Sequence, residues 1–549
     1  MAFPPIFTAI FLALAALPLA LSLAATSPAL AQAPSGPRVG TKSGPVIGVP
    51  GDGVTLFKGI PFAAPPVGVL RFAPPKDPEP WTEPREADAF GPIPPQPLGK
   101  SYFRDTSVLP PPSEDCLNLN IWVPEGAKAS DGLPVYMFIP GGGFAIGAGS
   151  QPLYDGTTLA KAGIVVVTMN YRLGALGFLA SRETLKLHGT TGNWGILDQI
   201  KALEWVRDNI AAFGGDPAKV TVGGESAGSM SVSALILSPL AKGLFRGAIM
   251  ESGTFYSMVN WPSNFSHGKL GPAMDQGSLI MEVLGLKDDP QGLEALRSVP
   301  PEVLERLCPF GATCRSSPFS LAPVFDGKVL PRDPQGALAS GDINRVKILM
   351  GYNRDEANSL LFAGCTESDL EDMTLFVSGP RASEAFWGRF PAGKDDQGLA
   401  SGRRFMTFTL FSAGAKRVAD LHSRFGEVYL YNFEYSNKES EKEGLAGAFH
   451  TSELPLVFGN MGFMGYTSTP EELRLGEDIR SRWVNFIKTG DPNQGDPSPT
   501  RAEWPAYDPK DPKAMAFGTK VGALPLPGKD DLDFMADTLY GPLPGASPK

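Results

Sequence analysis

Apolar residues recur along this chain in two alternating rhythms. Leu133–Pro140 and Ile164–Leu173 are short, β-rich apolar runs, the pattern of strands buried on both faces. Asp198–Phe213 places apolar residues at Leu203, Val206, Ile210 and Phe213, a helical stripe that stops at Gly214-Gly215. Val220–Val222 then predicts a strand, followed by a glycine-bounded turn and an apolar helix over Ser226–Leu237. Further strands are predicted at Phe245–Met250, Val346–Met350 and Val428–Phe433. A long amphipathic helix covers about Glu471–Lys488 and stops at Thr489-Gly490-Asp491-Pro492. Strand–helix alternation of this kind predicts an α/β fold, a mainly parallel central sheet flanked by helices. Stretches 73–113, 254–340 and 360–420 show neither rhythm and are expected to be long irregular insertions. There is no repeat and no clear linker, so one large domain with insertions is expected.

The N-terminus breaks the pattern. Residues 1–31 carry no charged side chain. An apolar run from Ile6 to about Ala25 is followed by Ala29-Leu30-Ala31, an A-x-A pattern before Gln32. This predicts a signal peptide cleaved near Ala31/Gln32 and a mature chain, 32–549, that is secreted or periplasmic, in an oxidising setting. The n-region has no Lys or Arg, so retention as an anchor is the other reading. No later stretch reaches 18 uninterrupted apolar residues, so no further membrane span is expected.

Composition narrows the classes. Hydrophobic content of 42% and charged content of 19% over 549 residues exclude disorder. A net charge of −10 with no basic run argues against a nucleic-acid partner or an anionic membrane surface. With four cysteines, four histidines and no C-x-x-C or H-E-x-x-H pattern, no metal and no cofactor are expected.

The candidate chemistry is that of a nucleophilic serine. Gly224-Glu225-Ser226-Ala227-Gly228 fits G-x-S-x-G and stands between a predicted strand and a predicted helix, as a nucleophile elbow requires. The sharp turn needs small flanks, and it lifts the hydroxyl over a helix N-terminus that favours anions. Ile139-Pro140-Gly141-Gly142-Gly143-Phe144 ends another strand and resembles an HGGG-type oxyanion loop, with Pro140 where histidine is common. A base must come from His188, His267, His422 or His450. His188 is placed in a polar loop and His422 in a helical run. The chain order serine, acid, histidine favours His450, then His422. Asp355-Glu356 follows a predicted strand, and either carboxylate suits the acid.

These residues carry a family resemblance that runs from about Val39 to Tyr507. The chain resembles the type B carboxylesterases, the carboxylesterase/lipase branch of the α/β-hydrolases. The resemblance rests on Phe57-Lys58-Gly59-Ile60-Pro61-Phe62-Ala63, on Glu114-Asp115-Cys116-Leu117-Asn118-Leu119-Asn120-Ile121-Trp122, and on Asn170-Tyr171-Arg172. Gly192-Asn193-Trp194-Gly195, Phe213-Gly214-Gly215-Asp216-Pro217 and Gly490-Asp491-Pro492-Asn493 add to it. It implies an α/β-hydrolase fold and a serine carboxylic-ester hydrolase acting through an acyl-enzyme. Carried over residue by residue, it implies Ser226 as nucleophile, Glu356 as triad acid and His450 before Glu453-Leu454-Pro455 as base. Gly142, Gly143 and Ala227 would supply the oxyanion N–H groups. Arg71 with Glu114, and Arg172 with Asp198, match structural ion pairs of the family.

Departures shape the substrate expectation. No cysteine precedes Cys116, which the family would pair upstream, so Cys116 is expected to be free. Between Gly91 and Cys116 there is no Trp, which counts against choline esters. Cys308 and Cys314, close together across Pro309 and Gly311, are expected to form a local disulfide, leaving Cys365 free. Adhesion members of the family, non-catalytic binding proteins on this fold, typically lack the nucleophile; its presence here favours a hydrolase. The insertions carry aromatic and small residues and few basic ones, which points to uncharged small-molecule esters of about C2–C6 acyl length. An ester bearing a carboxylate, such as a diacid monoester or a polyacid natural product, is the alternative if Arg315, Arg381, Arg403 or Arg404 faces Ser226.

Overall fold

Alternate side chains of each central strand enter different apolar clusters, as period-two geometry demands. Val135, Met137 and Ile139 belong to one cluster, Tyr136 and Phe138 to the other. Val165 and Val167 oppose Val166 in the same way, and Ile348 and Met350 oppose Leu349. The sheet is therefore buried on both faces, which is why its strands read as unbroken apolar runs. This computed structural model describes residues 36–101, 104–259, 271–307, 321–360, 384–390, 396–442, 444–464, 468–495 and 501–543. The expected signal peptide and the expected Cys308–Cys314 bridge lie outside the described residues, as do His267, Arg315, Cys365 and Arg381. Residues Gly36–Lys549 form one compact unit.

The main sheet has eleven strands. They are β1 (Val49–Pro50), β2 (Val54–Pro61), β3 (Asn118–Pro124), β4 (Leu133–Ile139), β5 (Val165–Met169) and β6 (Gly215–Glu225). β7 (Gly247–Glu251), β8 (Lys347–Asn353), β9 (Val428–Phe433), β10 (Lys513–Phe517) and β11 (Val521–Pro525) complete it. Their order across the sheet is β11-β10-β9-β8-β7-β6-β4-β5-β3-β2-β1. From β10 through β5 every neighbour pair is parallel. The antiparallel pairs sit at the two edges.

The helices cover both faces. Helix α1 (Trp194–Asn209) continues as a 3-10 turn to Phe213 and stops at Gly214, whose left-handed φ of 85° no β-branched residue would adopt without strain. Helix α2 (Ala227–Leu237) is buried at every position, which is why it holds only apolar and small residues, Ser229, Ser231 and Ser233 among them, and no charge. Helices α3 (Asp396–Thr407) and α4 (Ala413–His422) follow, then α5 (Pro470–Thr489). α5 is capped by the Thr469 side chain, ends at left-handed Gly490, and buries Leu475, Ile479, Trp483, Phe486 and Ile487. No helix among the described residues is long and apolar enough to cross a membrane.

Several expectations change. The strand expected over Ile164–Leu173 ends at Met169, because Asn170 and Arg172 turn to polar partners. β6 is far longer than Val220–Val222, since its glycines pair in a ladder that an apolar count misses. The described parts of the stretch 254–340 are largely helical. They hold helices Phe255–Val259, Gly271–Val283, Pro290–Leu296, Pro301–Leu307 and Pro334–Ser340, three of them opened by proline and two capped by Asp289 and Asp333. The end of 360–420 is likewise helical. His188 closes the helix Arg182–His188 instead of lying in a loop.

Arg172 and Asp198 form a buried pair with side-chain exposures of 3% and 0%. The Arg172 guanidinium donates two 2.8 Å bonds to Asp198, and the Arg172 backbone N–H donates a third at 3.0 Å. This ties the loop after β5 to α1. Removing one partner strands a buried charge, so Asp198→Ala is expected to lower unfolding free energy by about 3–5 kcal/mol. Urea denaturation checks this; a loss within about 0.5 kcal/mol, the range of surface substitutions, would mean the pair is not holding the loop.

Candidate active site

The chain turns sharply at the end of β6. Ser226 has φ 57° and ψ −124°, a strained backbone for a residue with a Cβ, and α2 begins at the next residue. Its N–H donates to Glu251 O at 2.8 Å, pinning the turn to the end of β7. Close approach forces the flanking glycines. A Cβ on Gly228 would lie 2.0 Å from Ile139 O, and one on Gly224 would lie 2.5 Å from the Gly228 carbonyl. One on Gly141 would lie 2.5 Å from Glu225 O and 3.0 Å from Ser226 Cβ. The ends of β4 and β6 and the start of α2 thus meet backbone to backbone.

The glycine loop after β4 is held beside this turn. Gly142 and Gly143 have φ of 118° and 59°, and Phe144 follows at 61°. Gly142 O accepts from the N–H groups of Ala145 and Ile146, and Gly174 N–H donates to Phe144 O at 2.7 Å. Tyr171 OH donates to Pro140 O at 3.1 Å, and Gln96 exchanges two 2.9 Å bonds with Gly147. The N–H groups of Gly142, Gly143 and Ala227 donate to no protein acceptor among the described residues. Unspent donors beside a helix N-terminus suit a developing anion.

Glu356 and His450 come together from the loops after β8 and β9. His450 Nδ1 lies 2.7 Å from Glu356 Oε2, and both side chains are buried. The other oxygen, Oε1, accepts the Asn353 N–H at 2.8 Å. With Nδ1 donating, Nε2 is left as the acceptor. Nε2 in turn lies 3.1 Å from Glu225 Oε1, a close contact that lacks hydrogen-bond alignment. Since Glu225 precedes Ser226, the basic nitrogen faces the sharp turn. No hydrogen bond joins Ser226 and His450 among the described residues, a separation that unliganded hydrolases often show.

Asp355, the other candidate acid, is engaged elsewhere: it pairs with Arg354 and accepts the Ala448 N–H. His422 is buried with Nε2 2.7 Å from Val346 O, and burial pushes its titration down. Arg404 is exposed, pairs with Asp531 and stacks over Phe390 and Phe408. Cys116 is free and fully buried, and burial pushes its thiol up. Among the described residues no cluster of His, Cys, Asp and Glu could hold a metal ion.

Sequence reasoning missed three groups. Glu225 is the variable position of G-x-S-x-G, so the motif itself drew no attention to it. Glu453, in the run after His450, accepts from Asn353 Nδ2. Phe411 packs against the His450 ring, centroids 4.8 Å apart and the planes tilted by 39°. Carboxylates crowd this centre. Burial pushes Glu225 and Glu251 well above the usual range and Glu453 to about 7. His450 is desolvated, which lowers it, but Glu225, Glu356 and Glu453 together raise it to about 9. Burial raises Glu225 against the opposing pull of His450, whereas His450 is raised by the carboxylates around it.

The carboxylesterase family model matches residues 35–527. The chain belongs to the carboxylesterase family. It is 37% identical over 497 residues to the para-nitrobenzyl esterase of Bacillus subtilis (strain 168), covering 88% of this chain and 95% of that one. It is 33% identical to the fumonisin B1 esterase of Sphingopyxis macrogoltabida, over 88% and 86% of the two chains. A solved PNB esterase superposes with a TM-score of 0.78 at 34% identity, covering 92% of this chain and 99% of that one. This carboxylesterase therefore has the α/β-hydrolase fold and is a carboxylic-ester hydrolase acting on small-molecule esters.

The contact at Gly228 leaves no room for a methyl group. Gly228→Ala is expected to destabilise the protein by about 1–3 kcal/mol or more, through overpacking against the Ile139 carbonyl. A thermal unfolding midpoint equal to wild type would show that β4 and α2 can separate freely.

Proposed function

We propose that Ser226 is the nucleophile, His450 the base and Glu356 the acid that orients it. The single observation that carries this reading is the 2.7 Å Glu356–His450 contact beside the strained serine turn. Ser226 Oγ attacks the ester carbonyl while His450 Nε2 takes its proton. The carbonyl oxygen becomes an oxyanion and accepts from the N–H groups of Gly142, Gly143 and Ala227. His450 then passes its proton to the leaving alkoxide, leaving an acyl-enzyme on Ser226. Water then attacks the acyl carbon and gives its proton to His450, which returns it to Ser226 Oγ as the carboxylic acid leaves. Glu356 holds the neutral imidazole in the productive tautomer and stabilises the imidazolium when it forms.

The substrates we infer are aryl or alkyl esters with short acyl chains. The chain's likeness to a para-nitrobenzyl esterase supports this class. The carboxylate-bearing alternative gains nothing from Arg404, which Asp531 already occupies. We also propose that residues 1–31 are a cleaved signal peptide and that 32–549 is a single catalytic domain of a secreted or periplasmic enzyme.

Ser226→Ala and His450→Ala are each expected to lower kcat on a butyrate ester by about 10³-fold or more with folding intact. His422→Ala should stay near wild type. Retention of more than a few per cent of activity in the first two variants would sink the assignment.

The pH profile follows from the carboxylates. An unperturbed histidine would give a rising limb near pH ~6.5. His450 is raised to about 9, and a base works only when neutral, so kcat/KM should rise with pH along a limb centred above the unperturbed value. Glu225→Gln removes one source of that rise and should move the limb to lower pH. A Glu225→Gln profile superimposable on wild type would show that Glu225 does not act on the base.

A further inference from the structure

His450 is gripped at its edge by Glu356, and one edge contact leaves a ring free to tilt about that axis. The competitor for Nε2 is close at hand, since Glu225 Oε1 lies 3.1 Å away. A second contact is needed to limit that tilt, and the aromatic ring packed against the imidazole is Phe411, centroids 4.8 Å apart at a 39° tilt and itself 2% exposed.

Phe411 reaches this place through an interruption of the helix. Between α3 and α4 the chain makes a wide turn over Phe408–Ser412, in which the Ala413 N–H donates to Phe408 O, five residues back. An α-helix closes each bond over four residues, so the extra residue shifts everything beyond it by about 100° of rotation. A wide turn weakens its own hydrogen bonding, yet here neighbours satisfy the displaced carbonyls. Ser257 Oγ donates to Leu410 O, and Tyr540 OH donates to Thr409 O at 3.4 Å. Ser412 Oγ bonds back to Thr407 O at 3.3 Å. Just before the turn, Thr407 Oγ1 accepts the Ala357 N–H at 3.4 Å, next to Glu356. The same short segment therefore touches both the loop that presents the acid and the ring of the base.

We propose that Phe411, aimed by this wide turn, is a positioning residue for the His450 imidazole. Packed at a tilt against the imidazole, it blocks tilting towards Glu225 and keeps Nε2 directed at the serine turn. The proposal rests on His450 acting as the base.

The test measures kcat per active site, with sites counted by stoichiometric labelling with a fluorophosphonate, so that unfolded protein does not enter the number. Phe411→Ala is expected to lower kcat per labelled site roughly 10- to 100-fold while KM for a butyrate ester changes by less than about threefold. Phe411→Tyr, which keeps a flat ring, should recover most of the loss. A Phe411→Ala enzyme whose deficit lies wholly in the number of labelled sites, or a Phe411→Tyr enzyme as poor as the alanine variant, overturns the positioning role. His450→Ala is measured in parallel. If it is inert while Phe411→Ala matches wild type, the base assignment stands and only this proposal falls. If it remains active, the assignment and the proposal fall together.

Discussion

A serine held at φ 57° and ψ −124° between a strand and a helix is the constraint around which this carboxylesterase is arranged. The strain persists only because the surroundings leave no alternative. The Ser226 N–H is committed to Glu251 O, and α2 begins at once behind it. Gly228 sits where any Cβ would meet Ile139 O, which brings β4 against the helix start. That contact in turn fixes the glycine loop that leaves β4, because Gly141 touches the backbone of Glu225. The serine turn and the proposed oxyanion donors are thus one packed unit. The loop after β5 braces this unit through Tyr171 OH on Pro140 O and Gly174 N–H on Phe144 O. The buried Arg172–Asp198 pair holds that loop to α1.

Electrostatics around His450 follow from burial. Four glutamates, Glu225, Glu251, Glu356 and Glu453, are buried near one histidine. Neighbouring buried carboxylates repel, and burial pushes the titration of Glu225, Glu251 and Glu453 up. Asn353 reduces the conflict by serving two of them: its N–H goes to Glu356 and its side-chain amide to Glu453. The same Nδ2 donates to Phe449 O at 2.8 Å, which fixes the residue before His450. One asparagine at the end of β8 therefore links the acid, the histidine loop and a neighbouring carboxyl group.

Much of this was legible in the sequence, for reasons that differ by element. β5 and β9 are strong apolar runs buried on both faces, so their cores read directly, and β9 has the expected bounds. The serine turn and the glycine loop were legible because only glycine tolerates such close approach, and sterics leave a mark in the sequence. The extent of β6 was hidden because Gly215, Gly223 and Gly224 pair through backbone alone. The helices within 254–340 were hidden because short helices carry too few turns for a periodic stripe, and their starts depend on proline and aspartate caps. Glu356 could not be chosen over Asp355 from the residues themselves; the decision rests on which carboxylate the turn after β8 points at His450. Phe411 was beyond reach, since a wide turn has no periodic signature and its effect is a change of phase.

The parallel sheet explains why distant residues converge. Ser226 follows β6, Gly142 and Gly143 follow β4, Glu356 follows β8 and His450 comes after β9. All of these strands run parallel, so their carboxyl ends open on the same edge of the sheet. Each strand is registered with its neighbour by backbone bonds, as Gly224 is with Ile139 and Asn353 with Phe433. The spacing between the parts is therefore set by strand separation and register, before any side chain is chosen. What the connecting segments must add is orientation: the Glu356 carboxylate on one edge of the imidazole, the Phe411 ring packed against it at a tilt, and the serine turn opposite Nε2. A rigid sheet with tightly packed strand ends and adaptable insertions divides the labour accordingly.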